Sequence, residues 1–152
     1  MSYTSSKEIA DKIGEIFPAV IKGFLKRQNN ELCHGKITMP QLIILNYLYK
    51  EGESRMTDLA HFLSVTTAAT TGLVDRLVRC SYAERIFDPE DRRIIKIKAS
   101  RKGIVTVKKI NSQRHHMIMD IFGRLTHQER EDYLRIITRI RDILLASQKP
   151  EK

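Results

Sequence analysis

The sequence predicts a mainly α-helical fold that carries one small β-hairpin. Capping boxes precede several stretches whose apolar residues recur at three- and four-residue steps, as on one face of an α-helix. Two short β-prone runs are separated by a turn that contains Asp-Pro. The 152 residues include 41% hydrophobic residues, which is enough for the core of one domain.

The first predicted helix begins at a capping box formed by Ser5 and Glu8. Pro18 lies inside the apolar pattern, and an internal proline removes a backbone donor and clashes with the preceding turn. We therefore expect a kink or a break after Phe17. The apolar residues cover a wide arc of this helix: Ile9, Ile13, Ile16, Val20 and Phe24.

The next segments predict a helix-turn-helix. Thr38 and Gln41 form a second capping box, and the helix that they start is expected to end near Glu51-Gly52. A short helix follows with one apolar face, made by Met56, Leu59, Ala60 and Leu63. Residues 64–66 form a tight connection, and a further helix from Thr67 is expected to bury Ala69, Leu73 and Leu77.

A charged hairpin follows this unit. Ile95, Ile97 and Ala99 alternate with Lys96 and Lys98 at strand spacing. The turn between the strands, residues 88–93, places two adjacent arginines on a loop. A guanidinium group suits phosphates and base edges and can enter a narrow minor groove, although a solvated turn would have the same composition.

Two long helices complete the prediction. Ser100 can cap the first, whose apolar side carries Val107, Ile110, Met117, Ile121 and Leu125. Thr126 and Glu129 form a capping box before the last helix, which has two apolar stripes. The terminal helices have more apolar surface than the middle third can cover. This predicts a homodimer formed through the ends, the alternative being a monomer with a larger internal core.

The net charge of +9 favours polyanionic partners. Residues 84–109 hold nine basic against four acidic side chains, whereas residues 31–83 hold five of each. The excess of positive charge is therefore concentrated at the hairpin and the start of the helix that follows it.

Four segments carry a family resemblance: LAHFLSVT at residues 59–66, ATTGLVDRL at 69–77, DPEDRR at 88–93 and ASRKG at 99–103. Together they resemble the MarR family of bacterial transcriptional regulators, by motif over roughly residues 38–103. The resemblance implies a winged helix-turn-helix with N- and C-terminal dimerisation helices. It also implies a homodimer, usually a repressor, that binds a palindromic double-stranded DNA operator and often a small aromatic or phenolic effector.

The expected organisation is a single domain over residues 1–152. Residues 37–99 form the DNA-binding core, and residues 5–32 and 100–147 form the dimerisation helices. Two departures from the family pattern are visible. Cys80-Ser81 stand where a glycine usually follows the recognition helix, so the helix end lacks its usual left-handed cap residue, and Ala99-Ser100 replace a Leu-Thr pair while keeping a capping hydroxyl.

The helix from Thr67 is expected to present Thr67, Ala68, Thr71 and Asp75 to the major groove. Thr66 and Thr70 lie nearer the flank, where capping and packing compete with DNA contact. Arg76 is expected to reach a phosphate or to pair with an acid such as Asp91.

The resemblance assigns Arg93 to the minor groove, Arg92 to a phosphate and Asp91 to orienting nearby arginines. Lys96, Lys98, Arg101 and Lys102 are further candidates for phosphate contact, with a solvated surface charge as the alternative. The predicted DNA-binding residues are Thr66, Thr67, Ala68, Thr70, Thr71, Arg76, Asp91, Arg92, Arg93, Lys96 and Lys98.

Other classes of function find little support in the sequence. The motifs of nucleophilic, phosphate-binding and zinc enzymes are missing, so we expect neither catalysis nor a cofactor or metal. No export signal or long apolar run is present, which predicts a cytoplasmic protein without a membrane segment. The alternatives are a redox-sensing regulator using Cys33 or Cys80, and a basic helical module that binds RNA or another protein.

Overall fold

The computed structural model describes residues 5–27, 37–88, 91 and 94–146 of the chain. It confirms a mainly helical fold with a small antiparallel sheet. The chain forms two compact units, Met1–Arg114 and His115–Lys152. In chain order the elements are α1 (Ser6–Arg27), α2 (Met39–Glu51), β1 (Glu53–Arg55), α3 (Met56–Leu63), α4 (Thr67–Arg79), β2 (Ala83–Phe87), β3 (Ile95–Ala99), α5 (Arg101–Phe122) and α6 (His127–Ala146).

Helix α1 begins at the predicted capping box. The Ser5 N–H donates to Glu8 Oε2 at 2.9 Å, and the Glu8 N–H donates to Ser5 Oγ at 3.2 Å. The helix continues through Pro18, so of the expected kink or break after Phe17 the break does not occur. Its apolar face is exposed to solvent.

The core of the first unit lies between α2, α3, α4, the sheet and α5. Leu45, Leu59, Val74 and Ile97 are all fully buried there. Gln41 is buried with them, and both polar atoms of its side-chain amide form hydrogen bonds. Its Oε1 accepts from the Thr38 N–H at 2.9 Å, and its Nε2 donates to the Leu73 carbonyl at 3.4 Å.

The sheet has the strand order β1-β3-β2, and both pairings are antiparallel. Lys98 pairs with Glu53 on one side and with Glu84 on the other, and Ile95 pairs with Phe87 at the outer end. The two-stranded hairpin was predicted, but β1 was not. Three residues, Glu-Ser-Arg, show no alternation that identifies a strand, and their pairing with β3 is a long-range contact.

The buried side of α4 differs from the prediction. Thr70, Val74 and Leu77 are buried, Leu73 is half-buried, and Ala69 is exposed. A face built from Thr70, Val74 and Leu77 follows the same three- and four-residue spacing, rotated from the predicted one. The sequence pattern favoured the alanine because a threonine is more often exposed than buried.

The junction between α4 and β2 contains a left-handed residue after all. Ser81 has φ 61°, its N–H donates to the Val78 carbonyl at 2.9 Å, and the Tyr82 N–H donates to the Leu77 carbonyl at 2.8 Å. These two bonds form a Schellman motif in which a serine occupies the position usually held by glycine. The expectation that this helix end lacks a left-handed cap residue is therefore wrong.

Ser100 holds the start of α5 against this junction, as predicted for a capping hydroxyl. Its Oγ accepts from the Gly103 N–H at 3.0 Å and donates to the Ser81 carbonyl at 2.6 Å. Gly103 is buried, and a Cβ at this position would overlap the Tyr82 carbonyl oxygen. The helix can therefore approach the loop only without a side chain at residue 103.

The second unit contains the end of α5 and all of α6. Thr126 and Glu129 form the predicted capping box, with the Thr126 N–H 2.8 Å from Glu129 Oε2 and the Glu129 N–H 3.3 Å from Thr126 Oγ1. These hydrogen bonds lower the pKa of Glu129. Leu125 was expected on α5 but follows its end. No residue of α6 is buried in the part that the structure describes.

Candidate nucleic-acid interface

The turn between α3 and α4 is fixed by backbone geometry. Ser64 adopts a left-handed conformation with φ 55°, and the Ser64 and Val65 N–H groups donate to the carbonyls of His61 and Ala60 at 3.0 and 3.1 Å. Thr66 then caps α4, with its Oγ1 3.2 Å from the Ala69 N–H. Of the two roles that compete at Thr66, capping is the one that the structure shows, and the cap sets the direction in which α4 leaves the turn.

The solvent side of α4 is built from small and basic residues. Thr67, Ala68, Ala69, Gly72, Arg76 and Arg79 are exposed. Gly72 lies in the middle of this face, and a Cβ at its position would meet nothing within 4 Å. Neither Gly72 nor Arg79 was among the predicted DNA-binding residues, although Arg79 follows Arg76 at the three-residue spacing that places both on one side of a helix.

The threonines of α4 are used differently. Thr70 is fully buried, and its Oγ1 donates to the Thr66 carbonyl at 3.1 Å. The side chain therefore packs in the core, and the predicted interface is redrawn without Thr70. Thr71 is partly exposed and donates from its Oγ1 to the Thr67 carbonyl at 2.8 Å, which leaves its oxygen lone pairs and methyl group for a partner.

An ion pair connects α4 to the wing, which is the hairpin of β2 and β3. The Asp75 carboxylate accepts a hydrogen bond from the Arg85 guanidinium of β2. Asp75 was predicted to face the groove, but its carboxylate is occupied by this arginine. The pair neutralises a negative charge beside the face of α4 that carries Arg76 and Arg79.

The strand alternation places the wing lysines on the other face of the sheet from Arg85. Neighbouring strand residues point to opposite faces, and Arg85 pairs in register with Ile97, so Lys96 and Lys98 project on the opposite side. Lys98 Nζ lies 3.5 Å from Glu84 Oε2. Lys96 Nζ lies within 3 Å of both Glu53 and Asp88.

Four residues of the wing tip lie outside the described part of the chain: Pro89, Glu90, Arg92 and Arg93. The roles predicted for Arg92 and Arg93 are therefore carried forward as proposals. Asp91 is described and exposed, and its N–H lies 3.4 Å from Asp88 Oδ1.

Lys102 has a structural partner at the end of α4. Its Nζ donates to the Cys80 carbonyl at 2.7 Å and lies 4.3 Å from the centre of the Tyr82 ring. A cation at this position stabilises the negative end of the helix dipole. Lys102, for which a phosphate contact and a solvated surface charge were the two expectations, therefore contacts the end of α4.

Cys80 is half-buried and unpaired at the end of α4, and Cys33 lies outside the described residues. Among the residues that the structure describes, no group of three or more His, Cys, Asp or Glu side chains is placed to hold a metal ion. None of the described helices has both the length and the apolar character needed to span a lipid bilayer.

Comparison with known proteins agrees with this geometry. The MarR family profile matches residues 37–95, which include α2, α3, α4 and most of the wing. A MepR-like protein crystallised with pseudoligands is 33% identical and has a TM-score of 0.58, with 88% of this chain and 94% of that chain covered. The chain belongs to the MarR family. It is a DNA-binding transcriptional regulator of the helix-turn-helix type, and regulators of this family are not enzymes.

Two further relatives of this MarR-family protein are informative. YsmB of Bacillus subtilis, an uncharacterised HTH-type transcriptional regulator, is 28% identical over 110 residues, which are 72% of this chain and 75% of YsmB. A point mutant of MepR from S. aureus, solved bound to an oligodeoxyribonucleotide, has a TM-score of 0.65 at 23% identity and covers 86% of this chain and 96% of its own. The second comparison shows the shared fold.

Proposed function

We propose that this MarR-family protein is a homodimeric repressor that binds a palindromic DNA operator in the cytoplasm and responds to a small aromatic ligand. One observation carries the DNA-binding part of the proposal. The exposed face of α4 combines small residues with Arg76 and Arg79, and the wing is joined to the same helix through Asp75 and Arg85. A dimer bound at an operator excludes other proteins from that duplex, which is the physical basis proposed for repression.

The dimer is supported by the uncovered apolar surface of the terminal helices. On α1 the side chains of Ile13, Ile16 and Phe17 are each more than half exposed, and on α6 the same holds for Leu134, Ile143 and Leu144. Large uncovered apolar faces mark surfaces for protein association, and a two-fold axis lets one patch cover its own copy. The alternative, a monomer with a larger internal core, would require these side chains to be buried within one chain.

We infer that α4 enters the major groove with Ala68, Gly72 and Thr71 towards the bases. Methyl groups and a hydroxyl read thymine methyls and base edges with modest discrimination for each contact. Thr67, Arg76 and Arg79 lie where they reach the flanking phosphates. Arg92 is assigned to a phosphate, Arg93 to the minor groove and Asp91 to orienting them, so that the wing and α4 contact adjacent grooves.

The experiment is selection of genomic DNA fragments by the purified full-length protein, followed by titration of the recovered duplex. The expected result is a palindromic sequence bound at least about 10³-fold more tightly than a scrambled duplex of the same length, the lower end of the usual specificity range. Structured RNA of equal charge serves as the competitor. If RNA or scrambled DNA competes equally, the protein is a general polyanion-binding module and the operator proposal is wrong.

A groove in the first unit is the proposed effector site. It has a volume of about 460 Å³ and is lined by α2, α3 and α5. Tyr47 and Phe62 form an aromatic wall, with ring centres 4.4 Å apart, and Asn111 Nδ2 donates to Asn46 Oδ1 at 2.8 Å on the polar side. Lys50 and Arg114 add two positive charges at the same groove and Glu51 adds one negative charge, so the lining keeps an excess of positive charge. Aromatic rings with nearby amides and cations suit an aromatic carboxylate or a phenol.

The effector proposal is tested by titrating benzoate and phenol into the operator complex. A ligand changes DNA affinity only through its preference between the bound and free conformations. We expect the ligand to weaken operator binding by the wild-type protein and to have no effect on operator binding by the Phe62→Ala variant. Operator binding that is unaffected by millimolar concentrations of both compounds would remove simple aromatic acids and phenols as effectors.

Redox sensing is the second candidate for regulation. Cys80 lies at the end of α4, and its own backbone carbonyl accepts the hydrogen bond from Lys102, so oxidation of its thiol would disturb the position of the recognition helix. Peroxide treatment of wild-type protein and of a Cys33→Ser/Cys80→Ser double variant distinguishes this mechanism. Equal operator binding by treated and untreated wild type excludes it.

A further inference from the structure

A three-residue ionic cluster joins all three strands of the sheet. Lys96 Nζ of the central strand lies 2.7 Å from Glu53 Oε1 of β1 and 2.9 Å from Asp88 Oδ2, the residue directly after β2. The cluster lies on the face of the sheet opposite Arg85. The wing is therefore connected to α4 on one face and to β1 on the other.

Asp88 occupies the end of the paired strands, where the chain turns into the wing tip. Its side chain is 15% exposed, compared with 24% for Lys96 and 47% for Glu53. The Asp88 N–H donates to the Ile94 carbonyl at 3.0 Å, and the Ile94 N–H donates to the Asp91 carbonyl at 2.9 Å. The ion pair between Lys96 and Asp88 therefore also restrains the backbone of Asp88 and Ile94, the residues on either side of the wing tip.

The charges of the cluster oppose a direct role of Lys96 in phosphate binding. One ammonium group faces two carboxylates, so the cluster has a formal net charge of −1. The hydrogen bonds to Glu53 and Asp88 raise the pKa of Lys96, which keeps the ammonium charged. A phosphate would have to replace one of these carboxylates and then lie beside it.

We propose that Lys96 is a positioning residue of the wing, and not a DNA contact. It holds the outer end of the hairpin to β1, while Asp75 and Arg85 hold the same hairpin to α4. The two links on opposite faces fix the direction of the wing, and so the distance between its tip and the recognition helix. This inference rests on the proposed function, because a fixed wing matters where two adjacent grooves are contacted together.

Replacement of Lys96 removes the side-chain link between Glu53 and Asp88 and takes away the ammonium group that contacts both carboxylates. In the full-length Lys96→Met variant we expect about tenfold weaker binding of the selected operator. The slope of log affinity against log salt concentration should stay at the wild-type value. A phosphate contact predicts instead a slope smaller by about 0.9 for each phosphate lost, or nearly two for a dimer. That change in slope would overturn the inference.

A second substitution separates positioning from bulk charge. Lys96→Met/Glu53→Gln relieves the repulsion between the two acids and should recover most of the lost affinity. Lys96→Met/Glu84→Gln has the same net charge and removes a carboxylate on the same face of the sheet, one that contacts Lys98 and not Lys96. It should stay as weak as the single variant. Equal recovery by both double variants would show a bulk charge effect and refute the positioning role.

Hydrogen exchange gives a readout that does not depend on DNA. The amides of Asp88 and Ile94 should exchange faster in Lys96→Met, return towards wild-type rates in the Glu53→Gln double variant, and stay fast in the Glu84→Gln double variant. If the amides of Asp88 and Ile94 exchange at wild-type rates in Lys96→Met, the inference is wrong even if operator affinity falls. If the variants show these exchange differences but wild-type protein does not distinguish operator from scrambled DNA, the proposed function fails while the structural role of Lys96 stands.

Discussion

Replacing Gly72 by alanine should stabilise the protein and weaken DNA binding at once. Gly72 lies within α4, where glycine costs roughly 0.5–1 kcal/mol relative to alanine because it loses more backbone freedom on folding. An added Cβ would meet nothing within 4 Å, so no packing penalty opposes this gain. We expect the free energy of unfolding to rise by about 0.5–1 kcal/mol, and the melting temperature by up to roughly 4 °C.

The effect on DNA binding follows from the position of the same methyl group. Gly72 is at the centre of the exposed face of α4, between Ala68 and Arg76. If this face lies against base edges, an extra methyl group in a close-packed contact costs on the order of 1–3 kcal/mol. Operator affinity should therefore fall by roughly fivefold to 150-fold.

The two assays are thermal or denaturant unfolding of the free protein and fluorescence anisotropy with the labelled operator. Stability acts as the internal control, because a variant that is more stable cannot lose affinity through misfolding. A stabilised Gly72→Ala protein with unchanged operator affinity would refute the docking of this face. A destabilised variant would show that α4 has a different environment from the one described.

Three further predictions concern the fold. Ser81→Gly should raise the free energy of unfolding by about 0.5–1 kcal/mol in urea denaturation, because glycine adopts φ 61° without the penalty of a side chain; an unchanged or lower stability contradicts this. Gly103→Ala should lower it by at least about 2 kcal/mol, since the new Cβ overlaps the Tyr82 carbonyl oxygen and lies 3.4 Å from Leu45 Cδ2; near wild-type stability would show that α5 shifts freely. The hydrogen bonds of Thr126 depress the pKa of Glu129 below 4.5, so their contribution is present above that pH and is lost as pH falls through the folded-state pKa. Thr126→Ala should therefore lose less stability between about pH 6 and pH 3 than wild type does, and identical pH profiles would argue against the capping box.

Local signals explain most of what the sequence predicted correctly. The Ser5–Glu8 and Thr126–Glu129 capping boxes involve residues three positions apart, so a short segment contains all the information needed. The hairpin was equally visible because its turn residues and its alternation lie together. The helix boundaries at Gly52 and Thr66 belong to the same class of signal.

The errors arose where tertiary structure decides the outcome. Thr70 is buried because its hydroxyl is satisfied by the Thr66 carbonyl one turn earlier, and this lets a polar residue replace Ala69 on the core face. Strand β1 forms by pairing with the edge of β3. Nothing in the sequence of residues 53–55 alone indicates this pairing. Pro18 lies within α1 although local rules disfavour it, and nothing in the structure explains this exception.

The lysines of β3 show why charge in a sequence does not identify a binding residue. Lys96 and Lys98 raise the local positive charge, and this concentration predicted a nucleic-acid partner. In the structure each has a carboxylate partner from a neighbouring strand or from the end of one, and Glu53 is 43 residues away from Lys96 in sequence. Arg79 lies on the exposed face of α4. We therefore expect Arg79→Ala to reduce the salt dependence of operator binding more than Lys96→Met does, although both remove one positive charge. If Lys96→Met reduces the salt dependence more than Arg79→Ala does, the phosphate contacts are made by the wing and not by Arg79.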